Sequence, residues 1–235
     1  MRKALALLAG CGLLLLSAAA GAAESAPGWP GRPGAYVFEV TRDGKPIGTQ
    51  TVTVKQAGET VIVTTESAVA VKMLGVTVYR MHQLLTETYQ GRQLVALTAE
   101  TKDPDGIRAG EIKRSGNRWT GKIGKQSRDF ECDCGTSTMW HMSGLKGQQM
   151  IEASHGRPRD VTIVDRGNEM LNLPEGRVET RHFTVKGDIE RDVWYDPAGN
   201  LVFATQVGSD GSQIRQNLLH DPQASRETGN EASEP

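Results

Sequence analysis

The stretch "TVIVTTESAVAVKMLGVTVYRMHQLLTETYQ", residues 60–90, decides the fold class. It is rich in β-branched residues, which pack well on a pleated surface, and Gly75 interrupts it near the middle. The run therefore reads as two long strands or as one strand bent at the glycine. Upstream, Tyr36, Phe38 and Val40 alternate with more polar neighbours, "DGKPIG" turns, and Ile47 to Lys55 runs on with Thr and Val. Asp43-Gly44 is a strong hairpin signal, because such turns need positive φ and Gly accepts it.

Downstream the same signature recurs. Gly91-Arg92-Gln93 opens "LVALTAETK", and Asp105-Gly106 marks another turn. "VTIVD", "RVETRHFTV", "IERDVWYD", "LVFATQV" and "SQIRQNL" follow, divided by turn residues such as Pro197-Ala198-Gly199-Asn200 and Asp210-Gly211. No helical period is sustained, and no helical crossovers of the kind a parallel sheet needs recur between the strands. The expectation is an all-β single domain of long antiparallel meandering strands, forming a curved sheet, open barrel or sandwich. At most one short helix is expected, a single helical turn or a short helix around Ser143 to Glu152, where Leu145, Gln148, Gln149 and Met150 tolerate it.

The ends of the chain read differently. Met1-Arg2-Lys3 supplies a positive start, Ala4 to Ala20 an apolar core, and Gly21-Ala22-Ala23-Glu24 a small-residue break. This is an export signal, expected to be cleaved after Ala22 or Ala23, and not a transmembrane span of the mature chain. Leu8-Ala9-Gly10-Cys11 supports an alternative, a lipoprotein anchored through Cys11, but it would leave only Ala4 to Gly10 as the apolar core. Residues 1–22 are thus read as a signal peptide, 23–34 as a flexible linker, 35–220 as the β domain and 221–235 as a disordered tail. The product is expected in the periplasm. The whole chain has a formal net charge of −1, and losing Arg2 and Lys3 makes it two units more negative, so net charge implies no nucleic-acid partner.

Chemistry-bearing constellations are few. "ECDCGTSTMWH" brings Cys132, Cys134 and His141 close together in sequence, and thiolates with an imidazole are ligands for soft or borderline metals. Three ligands without a second cysteine pair fall short of a structural zinc pattern. The alternatives are a Cys132–Cys134 disulfide, a disulfide to another chain, two free thiols, or a redox role. Ser143-Gly144-Leu145-Lys146 matches the Ser-x-x-Lys pattern, yet Ser115-Gly116-Asn117 precedes it and no Lys-Thr-Gly follows, the wrong order for a penicillin-recognising enzyme. No nucleophile elbow, zinc-protease helix or phosphate-binding glycine loop is present. No catalytic residue and no cofactor is assigned. His82, His155, His182 and His220 are scattered among polar neighbours and read as structural or surface residues. Trp194 and Tyr195, before the Pro-Ala-Gly-Asn turn, are candidates to stack on a ligand or to anchor the hairpin, and Trp140 joins them as a candidate ligand-binding aromatic.

Taken together, "YVFEVTRDGKPIGTQTVTV", the 71–101 region, "STMWH" and "RHFTVKGDIERDVWYDPAGNLVFATQVGSDGSQIRQNL" resemble the exported bacterial family known as domain of unknown function 6134. The resemblance rests on Gly-x-x-Ile-Gly at Gly44 to Gly48, Leu-Gly-x-x-Val-Tyr at Leu74 to Tyr79, and Trp194-Tyr195-Asp196. The family's middle motif is matched by Thr138-Met139-Trp140-His141, with methionine in place of an aromatic. Cys132 and Cys134 lie outside the family pattern. A more distant similarity runs to exported β-proteins whose curved sheet is like that of lipoprotein carriers, an analogy of fold alone.

Three functions are open on these grounds. The first is a non-catalytic periplasmic protein that binds or carries an apolar or envelope-derived ligand. The second is a structural or interaction module with an envelope protein partner, meeting it through strand edges or Trp140 and Trp194. A metal or redox site at Cys132, Cys134 and His141 is a third.

Overall fold

The computed structural model describes residues 33–222 apart from Glu175. The signal peptide, the Cys11 alternative, nearly all of the linker and most of the C-terminal tail read from the sequence lie outside the described residues.

Strand formation follows the alternation. In β1 (Gly34–Arg42), Tyr36, Phe38 and Val40 point inward, and β2 (Lys45–Ala57) buries Gln50, Val52 and Val54 on the same face. The turn between them has positive φ at both Asp43 (49°) and Gly44 (76°). That twist suits a two-residue hairpin. Gly48 lies where a Cβ would sit 2.0 Å from the Ala68 carbonyl of the next strand, so only glycine permits this approach. Residues 60–90 form two strands, β3 (Thr60–Met73) and β4 (Val76–Gln90), joined by a tight turn at Leu74-Gly75. The meander continues through β5 (Gln93–Asp103), β6 (Gly106–Ser115), β7 (Arg118–Ile123) and β8 (Gln126–Glu131). After an irregular segment come β9 (Gln149–Glu152), β10 (Arg157–Leu173), β11 (Gly176–Gly187), β12 (Arg191–Tyr195), β13 (Leu201–Val207) and β14 (Gln213–His220).

All of these strands belong to one antiparallel sheet in the order β8-β7-β6-β5-β4-β3-β2-β1-β14-β13-β12-β11-β10-β9. Each strand pairs with its chain neighbours, except that β8 and β9 lie at opposite ends of the sheet and β1 pairs with β14, uniting the two meanders at the centre. The sheet is curved and not closed, and it is a single sheet and not a sandwich. Its ends nevertheless approach each other. Ile151 and Ala153, at β9, pack in one buried cluster with Leu97, Ile112, Trp119 and Ile123 of β5 to β7. Arg128 of β8 donates through Nε to the His155 carbonyl at 2.9 Å.

The irregular segment between β8 and β9 crosses the concave side of this sheet. Unlike an ordinary surface loop it is buried at Cys132, Cys134, Thr136, Thr138, Met139, Trp140 and His141. Its backbone is satisfied by the strands it touches. Ser137 N donates to Ile151 O and Ile151 N to Gly135 O, both at 2.9 Å, while Leu201 N donates to Trp140 O at 3.1 Å.

Around Ser143 to Glu152, where at most a helical turn or short helix is expected, only a turn forms. A single 3-10 turn spans Met142–Gly144, and Gln149–Glu152 is strand β9. The reason is that Met150 and Ile151 are both fully buried on opposite faces, one in each core cluster, which an extended backbone achieves and a short surface helix does not. Among the described residues no helix is long and apolar enough to cross a membrane.

Candidate functional site

Two features of the interior stand out from packing alone: a buried carboxylate held by the crossing segment, and a cavity lined by a guanidinium.

The carboxylate is Glu87. On β4, Leu85, Glu87 and Tyr89 share the inward face, and Glu87 is 1% exposed. Thr136 and Thr138 donate their hydroxyls to Oε1, each at 2.6 Å, and the two hydroxyl oxygens are 2.7 Å apart. Trp140 Nε1 donates to Oε2 at 3.1 Å, and the Tyr89 hydroxyl donates to the same oxygen. Burial, reinforced by the Glu87 charge and hydrogen bond, pushes the Tyr89 phenol well above its ordinary pKa and keeps it a donor. A buried carboxylate with four donors is satisfied in the way such groups require. It locks the crossing segment to β4.

The cavity, of about 740 Å³, lies inside the curved sheet. Val40, Ile47, Val69, Val71, Val78 and Met81 form its apolar wall. Arg191 lines it from β12, with Gln216, Gln50 and Ser67 also contributing. These polar groups form a chain across the sheet: Arg191 Nη2 donates to Gln216 Oε1, Gln216 Nε2 to Gln50 Oε1 at 2.9 Å, and Ser67 Oγ to the same Gln50 oxygen at 3.1 Å. Arg191 Nη1 also reaches the Ser137 carbonyl at 3.4 Å. Desolvation pulls the Arg191 guanidinium below its usual pKa, with Tyr195 acting in the opposite sense. Residues 136–138 thus touch Glu87 through their threonines and Arg191 through their middle carbonyl.

Of the candidates named from the sequence, Trp140 and Tyr195 come together and Trp194 does not. Tyr195 is fully buried, and its hydroxyl donates to Met139 O at 2.9 Å; burial pushes its pKa far up. Trp140 meets Tyr89 edge-on at 6.4 Å and, with Thr136, Thr138 and His141, lines a smaller hollow of about 200 Å³. Trp194 lies on the opposite face of β12, half-buried, stacked on His182 at 4.1 Å and donating to Glu169. Cys132 and Cys134 are joined by a disulfide. The Ser143 amide donates to His141 Nδ1 at 3.1 Å and the Ala198 carbonyl accepts from Nε2 at 3.1 Å, which sets the proton on Nε2. Among the described residues no group of three or more His, Cys, Asp or Glu side chains is arranged to hold a metal ion. Lys146 of the Ser-x-x-Lys stretch pairs with Asp133 at 2.9 Å, as does Arg114 at 3.0 Å, and these bonds hold the Asp133 carboxyl below its ordinary pKa.

Glu87, Tyr89, Arg191, Gln50 and Gln216 were not singled out from the sequence. The signal was the alternation itself: a charged residue in phase with buried apolar neighbours, as in Leu85-Glu87-Tyr89 and Arg191-Val193-Tyr195, must point into the interior.

The profile of domain of unknown function 6134 matches residues 38–219, from within the first strand to near the end of the last. The chain belongs to this family. The DUF6134 domain is also similar in structure to a beta-barrel-like protein of domain of unknown function DUF1849 from Brucella abortus. The TM-score is 0.59 at 13% identity, covering 79% of this chain and 94% of that one. At that identity the likeness shows the fold alone. No curated protein matches the sequence.

Proposed function

We propose that this DUF6134 protein is an exported, non-catalytic binding or carrier protein that holds an apolar or envelope-derived ligand inside its curved sheet. The observation that carries this reading is the cavity of about 740 Å³ with its wall of Val40, Ile47, Val69, Val71, Val78 and Met81. Its volume falls within the range of about 300–1,000 Å³ usual for small-molecule sites. The crossing segment supports the same reading, because a strap bonded to both meanders props the sheet open around a hollow that collapse would otherwise fill. At one end of the cavity, Val78 and Tyr79 continue into the exposed β3–β4 turn, where Leu74 and Val76 stand in solvent. Such an apolar lip suits transfer of a ligand from a lipid environment. Export rests on the N-terminal segment, and the non-catalytic character on the missing nucleophile, metal and phosphate signatures.

The test is the native and denaturing mass of the protein isolated from its own cell envelope. Extra native mass that disappears on denaturation is the expected result and identifies the ligand. A bare polypeptide that also fails to take up a hydrophobic fluorescent probe would overturn the reading in favour of the interaction module.

A further inference from the structure

We propose that the ligand of this cavity is an amphiphile with an anionic head, a carboxylate or a phosphate, and that Arg191 holds that head while the apolar wall takes the chain. The inference rests on the binding reading above and narrows it to a ligand class.

The argument begins with two guanidiniums that line the same cavity. Arg42 is neutralised by Asp210. Arg191 is not neutralised: both acceptors it reaches, the Gln216 amide and the Ser137 carbonyl, are uncharged, and among the described residues no carboxylate pairs with it. Its Nε is shut off from solvent and has no hydrogen-bond partner. A guanidinium carries five N–H donors in a planar fork matched to carboxylate and phosphate oxygens. Here a half-buried cation with its Nε shielded keeps neither a counter-charge nor its full set of acceptors, a state that costs folding free energy unless something supplies them.

The position is built and not incidental. Arg191 is in phase with Val193 and Tyr195, both buried, so its side chain is directed inward by the strand. Gln216 is in turn oriented by Gln50, and Gln50 by Ser67, so the fork is braced across the sheet. Glu87, the buried carboxylate of the interior, is already served by four donors and offers nothing to an anion. An anionic head at Arg191 would gain charge-assisted hydrogen bonds in a site partly shielded from water, where they are stronger than in the open solvent.

The experiment uses the purified full mature chain and a fluorescent polyene fatty acid, parinaric acid, alongside its methyl ester, which keeps the chain and removes the charge. The acid is expected to bind at least about tenfold more tightly than the ester, the scale of one charge-assisted contact. In Arg191→Gln the ratio of acid to ester affinity should fall to about one; Arg191→Lys should retain part of the preference. Competition by palmitate against hexadecyl phosphate then tells a carboxylate head from a phosphate head. Equal binding of acid and ester by the unmodified protein would overturn this inference and leave the binding reading intact, and that comparison does not depend on any variant folding. Binding of neither probe would overturn the binding reading itself.

Discussion

Thr138 donates its hydroxyl to Glu87 at 2.6 Å across 51 residues of sequence, and this bond, with its twin from Thr136, ties the crossing segment to the middle of β4. The segment has no ladder along its length to hold it, so a buried charged acceptor does that work. Glu87→Ala would remove the acceptor shared by the hydroxyls of Thr136, Thr138 and Tyr89 and the Trp140 indole. We expect a loss of about 3–4 kcal/mol in urea unfolding. Glu87→Gln should cost less, about 1–2 kcal/mol: the Tyr89 hydroxyl can reverse and accept from the new amide, whereas the Trp140 N–H cannot.

Tyr195→Phe isolates a second anchor. The phenol is fully buried and donates to the Met139 carbonyl, so its removal leaves that carbonyl short of a partner with no change of ring packing. The expected cost is about 1–2 kcal/mol, or a fall of roughly 2–8 °C in melting temperature for a domain of this size. Trp194→Phe, on the outer face, removes only the indole bond to Glu169 and should change probe binding not at all.

These anchors mark the limit of what the sequence discloses. The β1–β2 hairpin is legible because Asp43-Gly44 permits positive φ and the inward residues alternate cleanly. The choice left open at Gly75 is settled by Leu74, a non-glycine residue at φ 49° that completes a two-residue turn. β10 runs to Leu173, well beyond "VTIVD", because the β11 ladder carries it through Gly167 to Leu173, a stretch mostly exposed and therefore without alternation. β9 is illegible for the opposite reason, since adjacent Met150 and Ile151 are both buried. In the site, the inward aim of Glu87 and Arg191 is readable from strand phase, but their partners come from an irregular segment about fifty residues away, which no local pattern announces.

Acid should destabilise the domain in two stages, one from His155 in the turn after β9 and one from Glu152 at the end of that strand. Burial, with Arg108 and Arg157 nearby, lowers the His155 pKa from 6.5 despite the raising effect of Glu152, so the folded state resists protonation. That contribution is whole above pH 6.5 and is lost as pH falls below it. For Glu152 burial acts to raise the pKa, but hydrogen bonds from Arg157 and Arg159, each 2.7 Å, outweigh it and hold the carboxyl below 4.5. Its contribution is whole above pH 4.5 and is lost as pH falls through the lower folded value. Urea midpoints across this range should therefore decline from pH 6.5 downward and more steeply below 4.5; His155→Gln should flatten the first stage and Glu152→Gln the second.

The Cys132–Cys134 bridge gives the last prediction, because it separates a structural role for these residues from a functional one. A loop with one residue between the cysteines removes little freedom from the unfolded chain, so a Cys132→Ser, Cys134→Ser double variant should lose only about 1–2 kcal/mol, part of it from the packing of both side chains beside Trp119. The cavity wall and Arg191 belong to other strands. Uptake of the fatty-acid probe by the double variant should therefore match that of the unmodified protein, and the untreated protein should show no thiol to an alkylating reagent until it is unfolded and reduced. If instead the double variant lost probe binding while keeping its melting transition, the disulfide would have to act on the cavity through the crossing segment, whose Ser137 carbonyl reaches Arg191, and these cysteines would belong to the site after all.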